Sequence, residues 1–310
     1  MNSISFNQDA FSRLDVPLPE NIFANAFIPV KETVLKQIQA IIDAIESVIA
    51  LPCYQNYVLA TAPQIAGFEP KAQSVFFGYD FHIDENGQPK LIEINTNAGG
   101  ALLNSLQFKT ECEAQFFQNF QEEWQLSQRS SEPLRTIAIV DDAPQTQYLY
   151  AEFLLFKELF KTNGIETIIC APENLEYHSQ RLWYGNIPID LVYNRLTDFV
   201  LTGESQKALA NAYLAGDVVV TPHPRAHTLY ANKRNLTILS NGKILTPFGV
   251  SNETRELLEN GIAFTTLVET KTATNLWSMR KRLFFKPAQG YGSNGAYRGD
   301  KLTKRVFEEF

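Results

Sequence analysis

The chain has 310 residues, room for roughly two to three domains at about 150 residues each. Apolar residues make up 45% of it and aromatic residues 12%, enough for a sizeable core. The formal charge of −7 argues against non-specific nucleic-acid binding, which needs a basic surface to displace counterions.

No apolar run approaches the ~20 residues that span a bilayer, so no membrane partner is expected. The opening stretch Met1-Asn2-Ser3-Ile4-Ser5-Phe6 lacks the charged and apolar regions of a secretory signal, which points to the cytoplasm. Cys53, Cys112 and Cys170 are odd in number and widely spaced, and they read as buried free thiols rather than a disulfide or metal framework.

In chain order, residues 31–51 form a helix, because Val34, Leu35, Ile38, Ile41, Ile42, Ile45, Val48 and Ile49 recur at helical spacing. Residues 75–82 and 90–96 read as strands joined by a hairpin at Asn86-Gly87. Residues 105–126 are helical, and the polar stretch Ser127 to Pro133 marks a domain boundary. A βαβ pattern follows: strand 136–140, helix 147–162 capped by Asn163-Gly164, strand 166–170, and a closing strand at 189–194. Residues 205–215 form a helix and 218–221 a short strand. The stretch His223 to His227 is expected to be a loop because of Pro224, and a helix lies around 232–240. Residues 247–270 are mixed in character. A strand at 283–286, a glycine-rich turn, a return strand at 296–298 and a helix from Thr303 end the chain.

Two segments carry the chemistry. In Leu91-Ile92-Glu93-Ile94-Asn95, strand alternation puts Glu93 and Asn95 on one face and Ile92 and Ile94 toward a core. A carboxylate and an amide oxygen suit Mg²⁺, and Asp80 on the partner strand is a third candidate ligand. The small residues that follow, with Asn97, Gly99 and Gly100, permit close approach of a substrate.

The second segment runs from Lys286 through Gly290, Gly292, Ser293 and Asn294 to Gly295. Its G-x-G-x-x-G spacing is a poor dinucleotide fingerprint, since no helix opens directly and no acidic residue lies about 20 positions on. A strand, glycine turn and strand instead make a flap whose backbone N–H groups line an anion nest, with Lys286 as a point charge. Lys233 stands near a helix start. Arg195 leaves a parallel strand where α/β sheets bind ligands, with a salt bridge to Asp198 as the structural alternative. His82, His178, His223 and His227 show no zinc spacing with the cysteines.

The order of these segments resembles the circularly permuted ATP-grasp of eukaryotic-type glutathione synthetase. There an Ile-Glu-Ile-Asn-Thr strand comes first and a Lys-Pro glycine loop lies far downstream. The likeness covers most of residues 75–300. It implies a mixed α/β, ATP-grasp-like fold with an inserted parallel α/β substrate domain. The boundaries are 1–132 for an N-terminal helical part with the metal-binding strands, 133–221 for the substrate domain, and 222–310 for an ATP-binding subdomain. It further implies ATP and Mg²⁺ as cofactors, with Glu93, Asn95 and Asp80 on the metal. Lys233, Lys286, Gly290, Gly292, Ser293, Asn294 and Gly295 would hold ATP. Arg195, Asn97, Gly99 and Gly100 would meet the substrate, with Arg195 and Lys286 catalytic. The implied reaction joins a small carboxylate and an amine, amino-acid or peptide-like, through an acyl phosphate.

Three departures stand out. The family's glycine loop has a metal-binding glutamate four residues after the lysine, and here that position is Gly290. The γ-glutamyl-binding serines after the metal strand are missing. The adenine-hinge strand and last ATP lysine are expected beyond Phe310. The alternatives are an inactive ATP-grasp relic that binds a ligand or partner, and a nucleotide-dependent phosphotransferase.

Overall fold

A computed structural model describes residues 18–19, 21–23, 28–108, 110–127, 132–288 and 295–309. It is a mixed α/β structure that folds into two compact units. The first takes Thr61–Gly78, Asn95–Thr228 and the described residues up to Lys31; the second takes Glu32–Ala60, Tyr79–Ile94 and the described residues from Leu229 on. No helix among the described residues is long and apolar enough to cross a membrane.

The expected hairpin forms. Strand β1 (Gly78–Ile83) and strand β2 (Pro89–Asn95) make a two-stranded sheet. Asp84 organises the turn, its Oδ1 accepting from the amides of Asn86 and Gln88 at 2.9 Å each. Gly87 takes the left-handed conformation at φ 78° that favours glycine there. Burial does not alternate cleanly along β2. Leu91 and Ile94 are both in the core, whereas Ile92, expected inside, is 37% exposed. Leu91 is covered by Ile262, whose segment bridges β2 in parallel with Ala263 N donating to Leu91 O at 2.9 Å, and both Leu91 and Ile94 join the core of the second unit.

β1 begins later than the sequence suggests. Ser74 and Phe76 adopt positive φ, and the buried Glu123 carboxylate accepts from the amides of Gln73 at 2.8 Å and Ser74 at 2.9 Å. Val75 donates to Thr221 Oγ1 and packs in the core of the first unit. Tertiary bonds therefore override the apolar run that reads as strand.

In the first unit, β3 (Thr136–Val140), β4 (Glu166–Cys170), β8 (Leu191–Asn194) and β9 (Val219–Thr221) form a parallel sheet in the order β4-β3-β8-β9. Every residue of β3 is buried. Ala138 and Val140 face one core cluster, with Leu209 and Tyr213 of the helix at 207–214. Ile137 and Ile139 face another, with Phe120, Phe156 and Phe160. Burial on both faces is why these strands read as continuous apolar runs.

A meander of β5 (Leu175–His178), β6 (Arg181–Tyr184) and β7 (Ile187–Ile189) precedes β8, so the segment expected to be one strand from 189 is two elements. Its first turn uses Ser179 and Gln180, both at positive φ, in place of the usual Asn-Gly signal. The helix expected over 105–126 is also two, at 101–108 and 113–126.

The second unit packs the helix Glu32–Ile49 against the helix Asn252–Gly261, at a point where Gly261 abuts Ile41. A Cβ on Gly261 would lie 2.6 Å from Ile41 Cγ1, so only glycine allows this approach. Ser251 caps the second helix by accepting from Thr254 N. The stretch from His223, expected as a loop, instead starts a helix over Pro224–Tyr230, because proline is well suited to the first helical turn. Strands β10 (Phe284–Phe285) and β11 (Tyr297–Arg298) pair antiparallel, as the strand–turn–strand reading expects.

Candidate functional site

Glu93 sits on β2 with its side chain 19% exposed, and each of its oxygens meets a lysine. Lys233 Nζ lies 2.9 Å from Oε1 and Lys286 Nζ 3.1 Å from Oε2. Three distant parts of the sequence thus converge within the second unit.

Local structure fixes both lysines. Lys233 lies in the turn between helices 224–230 and 235–239. There Asn232 Oδ1 accepts from Arg234 N, and the buried Asn235 side chain donates to Leu229 O. Lys286 follows β10, whose Phe285 anchors in a small core with Leu276, Leu302 and Phe307. Its ammonium stands 5.9 Å over the exposed Phe284 ring. Burial pushes the Glu93 carboxyl up, but hydrogen bonds and charge from Lys233 and Lys286 outweigh it, and the group is held below its ordinary value. The cluster of two ammoniums and one carboxylate keeps a net positive charge suited to phosphate.

The first unit holds a second set. After β2 the chain turns through Asn97, Ala98, Gly99 and Gly100 around Arg195, which follows β8 and is 6% exposed. Arg195 Nη1 donates to Ala98 O at 2.9 Å and to Tyr193 OH at 3.3 Å, and Nη2 to Asn97 O at 3.4 Å. The Asn97 amide returns two bonds, to the carbonyls of Arg195 and Leu196 at 3.0 Å each. Gly99 is required here, because a Cβ would stand 2.5 Å from Leu149 Cδ1 and 2.7 Å from Arg195 Nη2.

Beneath the loop, Glu152 is 1% exposed. It accepts from Gly100 N at 2.6 Å and Leu102 N at 3.0 Å, at the start of the helix 101–108. Burial raises its carboxyl against those bonds and the Arg195 charge. Asp141, the residue after β3, is pushed up to about 6 by burial, with the Asp142 amide and Arg195 opposing. Two polar atoms at this loop, Asn97 Oδ1 and Arg195 Nε, are among the buried side-chain atoms without a hydrogen-bond partner among the described residues.

Of the expected site residues, the structure brings Glu93, Lys233 and Lys286 together, and Asn97, Gly99, Gly100 and Arg195 together. Asp198, the structural alternative for Arg195, accepts from Val200 N instead. Asp80 is exposed on β1, and Asn95 ends β2. Among the described residues, no group of three or more His, Cys, Asp or Glu side chains could hold a metal ion. Gly295 is described at φ 71°, whereas Gly290, Gly292, Ser293 and Asn294 lie outside the described residues.

Sequence reasoning missed Glu152 and the Thr96–His227 pair. Glu152 interrupts an otherwise apolar helix face of Ala151, Phe153, Phe156 and Phe160, which is the signal that could have found it. Thr96, 1% exposed, lies 3.0 Å from His227 Nδ1, and His227 stacks on Phe199 at 4.0 Å.

No protein-family model and no curated protein matches the chain. Among solved structures it is similar to a glutathione synthetase-like effector from Globodera pallida in its apo form. The TM-score is 0.51 and the identity 13%, over 75% of this chain and 61% of that one. The match therefore spans less than two thirds of that protein's length. What the likeness shows is the fold: a mixed α/β, glutathione synthetase-like architecture.

Proposed function

We propose that the chain binds a magnesium nucleotide through Glu93, Lys233 and Lys286, as part of an ATP-dependent carboxylate–amine ligase. The observation that carries this reading is the convergence of two lysines on one strand carboxylate. Ammonium groups held about 3 Å from a carboxylate are placed to exchange it for phosphate oxygens, as point charges. The donor set also fits a hard cation, which takes oxygen ligands and keeps phosphates and waters in its other positions. Glu93 would supply a carboxylate oxygen to it. Bound there, the magnesium ion would neutralise charge developing on the transferred phosphoryl group.

In this reading Lys233 and Lys286 grip the phosphates. A substrate carboxylate takes the phosphoryl group to give an acyl phosphate and ADP, and an amine then displaces phosphate to form the amide. Arg195 serves the first unit's loop by fixing Asn97 and Ala98. The test is ADP release in a screen of amino acids and short peptides, with amide formation by mass spectrometry. Phosphate ester formation in place of an amide would mark a phosphotransferase.

One observation favours a second reading, nucleotide binding without turnover. The position four residues after Lys286 is Gly290, where the ligase pattern has an acidic metal ligand. Mg-ATP binding with no ADP release for any acid and amine pair would select that reading.

A further inference from the structure

The carboxylate assigned to the cation is already fully engaged. Glu93 Oε1 faces Lys233 at 2.9 Å and Oε2 faces Lys286 at 3.1 Å, leaving neither oxygen without an ammonium neighbour. All three side chains are sheltered, at 15%, 19% and 28% exposure for Lys233, Glu93 and Lys286. Water screens such a cluster less than it screens an exposed pair. A divalent cation approaching Glu93 by itself meets two fixed positive charges a few ångströms away and must displace at least one of them.

A polyphosphate changes both terms. Its oxygens give the ammonium groups stronger partners than one shared carboxylate, and they add negative charge and further oxygen ligands for the cation.

We propose that Lys233 and Lys286 act as an electrostatic latch on Glu93. Divalent cations do not bind there alone, and the site opens only to a cation that arrives with a polyphosphate. This rests on the reading of the cluster as a metal-nucleotide site and adds an order to it. By linkage, the cation and the polyphosphate must strengthen each other's binding by the same factor.

The experiment uses Mn²⁺ as the probe on the full chain. Free Mn²⁺ is counted by its paramagnetic resonance signal. ADP binding is measured separately by equilibrium dialysis, with Mn²⁺ or with chelator. The latch predicts no Mn²⁺ bound at Glu93 up to millimolar concentration, and ADP affinity raised at least 10-fold by Mn²⁺. It predicts that Lys233→Met with Lys286→Met creates Mn²⁺ binding without nucleotide, and that adding Glu93→Gln removes it again. A thermal melt checks that each variant is folded, and the two wild-type arms decide the question if one is not.

Tight Mn²⁺ binding to the wild type without nucleotide, lost in Glu93→Gln, would overturn the latch while leaving the nucleotide site intact. Failure of ADP to bind with or without Mn²⁺ would overturn the nucleotide reading, and the latch with it.

Discussion

The Arg195 guanidinium donates a 2.9 Å hydrogen bond to the carbonyl of Ala98, and the Asn97 side chain donates back to the carbonyl of Arg195. The two segments, far apart in sequence, are therefore laced together by charge-assisted bonds in a buried setting. The arginine's planar fork fits this role, since it reaches two carbonyls and the Tyr193 hydroxyl at once.

Arg195→Lys should destabilise the protein by about 2–4 kcal/mol, because a single ammonium cannot serve these acceptors and some are left buried without a donor. Urea unfolding followed by circular dichroism checks it. A variant as stable as the wild type would show that the loop is held by other contacts.

Gly99→Ala should cost about 1–3 kcal/mol, since the added methyl enters space already filled by Leu149 and Arg195. Gly67→Ala is the control: nothing lies within 4 Å of that Cβ, so the change should be nearly neutral.

Asp141 gives a pH signature. Its folded carboxyl titrates at about 6, above its ordinary value near 4. Between those values the unfolded chain has released a proton that the folded chain still holds. This group's contribution to stability therefore falls as pH rises from about 4 to about 6, and is level above that. Asp141→Asn, which keeps an oxygen for the Asp142 amide, should remove that slope and raise stability at pH 7 relative to the wild type. Thermal melts from pH 4 to pH 7 would show it; parallel curves for the two proteins would contradict it.

Glu93 has the opposite sign. Its carboxyl is held low by two lysines, so its contribution is present above about pH 4.5 and is lost as pH falls further. Glu93→Gln should flatten that acid limb while costing only about 1 kcal/mol at neutral pH, because the cluster is partly solvated.

Much of the fold was legible where burial writes a pattern. The helix at 32–49, strands β3 and β4 and the Asn86-Gly87 hairpin follow from spacing and turn residues. What was hidden depends on tertiary partners. Ser74 and Phe76 hold strained backbone only because Glu123 and Thr221 bind their segment. The Ser179-Gln180 turn lacks the residues that announce a hairpin. At the site, the types of Glu93, Lys233 and Lys286 suggested phosphate chemistry, but their convergence is long-range and no local spacing encodes it. Arg195 was legible as important at a sheet end, and its buried duty toward Ala98 was not.

Whether Glu93, Lys233 and Lys286 grip a metal nucleotide decides the function of this cluster. Calorimetric titration of Mg-ATP into the wild-type chain and into folded Lys286→Ala and Glu93→Gln variants tests this most directly. One Mg-ATP should bind per wild-type chain. Binding should be at least 10-fold weaker in Lys286→Ala, and its magnesium-dependent part should be lost in Glu93→Gln. No binding by the wild type, or equal affinity in all three proteins, would contradict a metal-nucleotide grip.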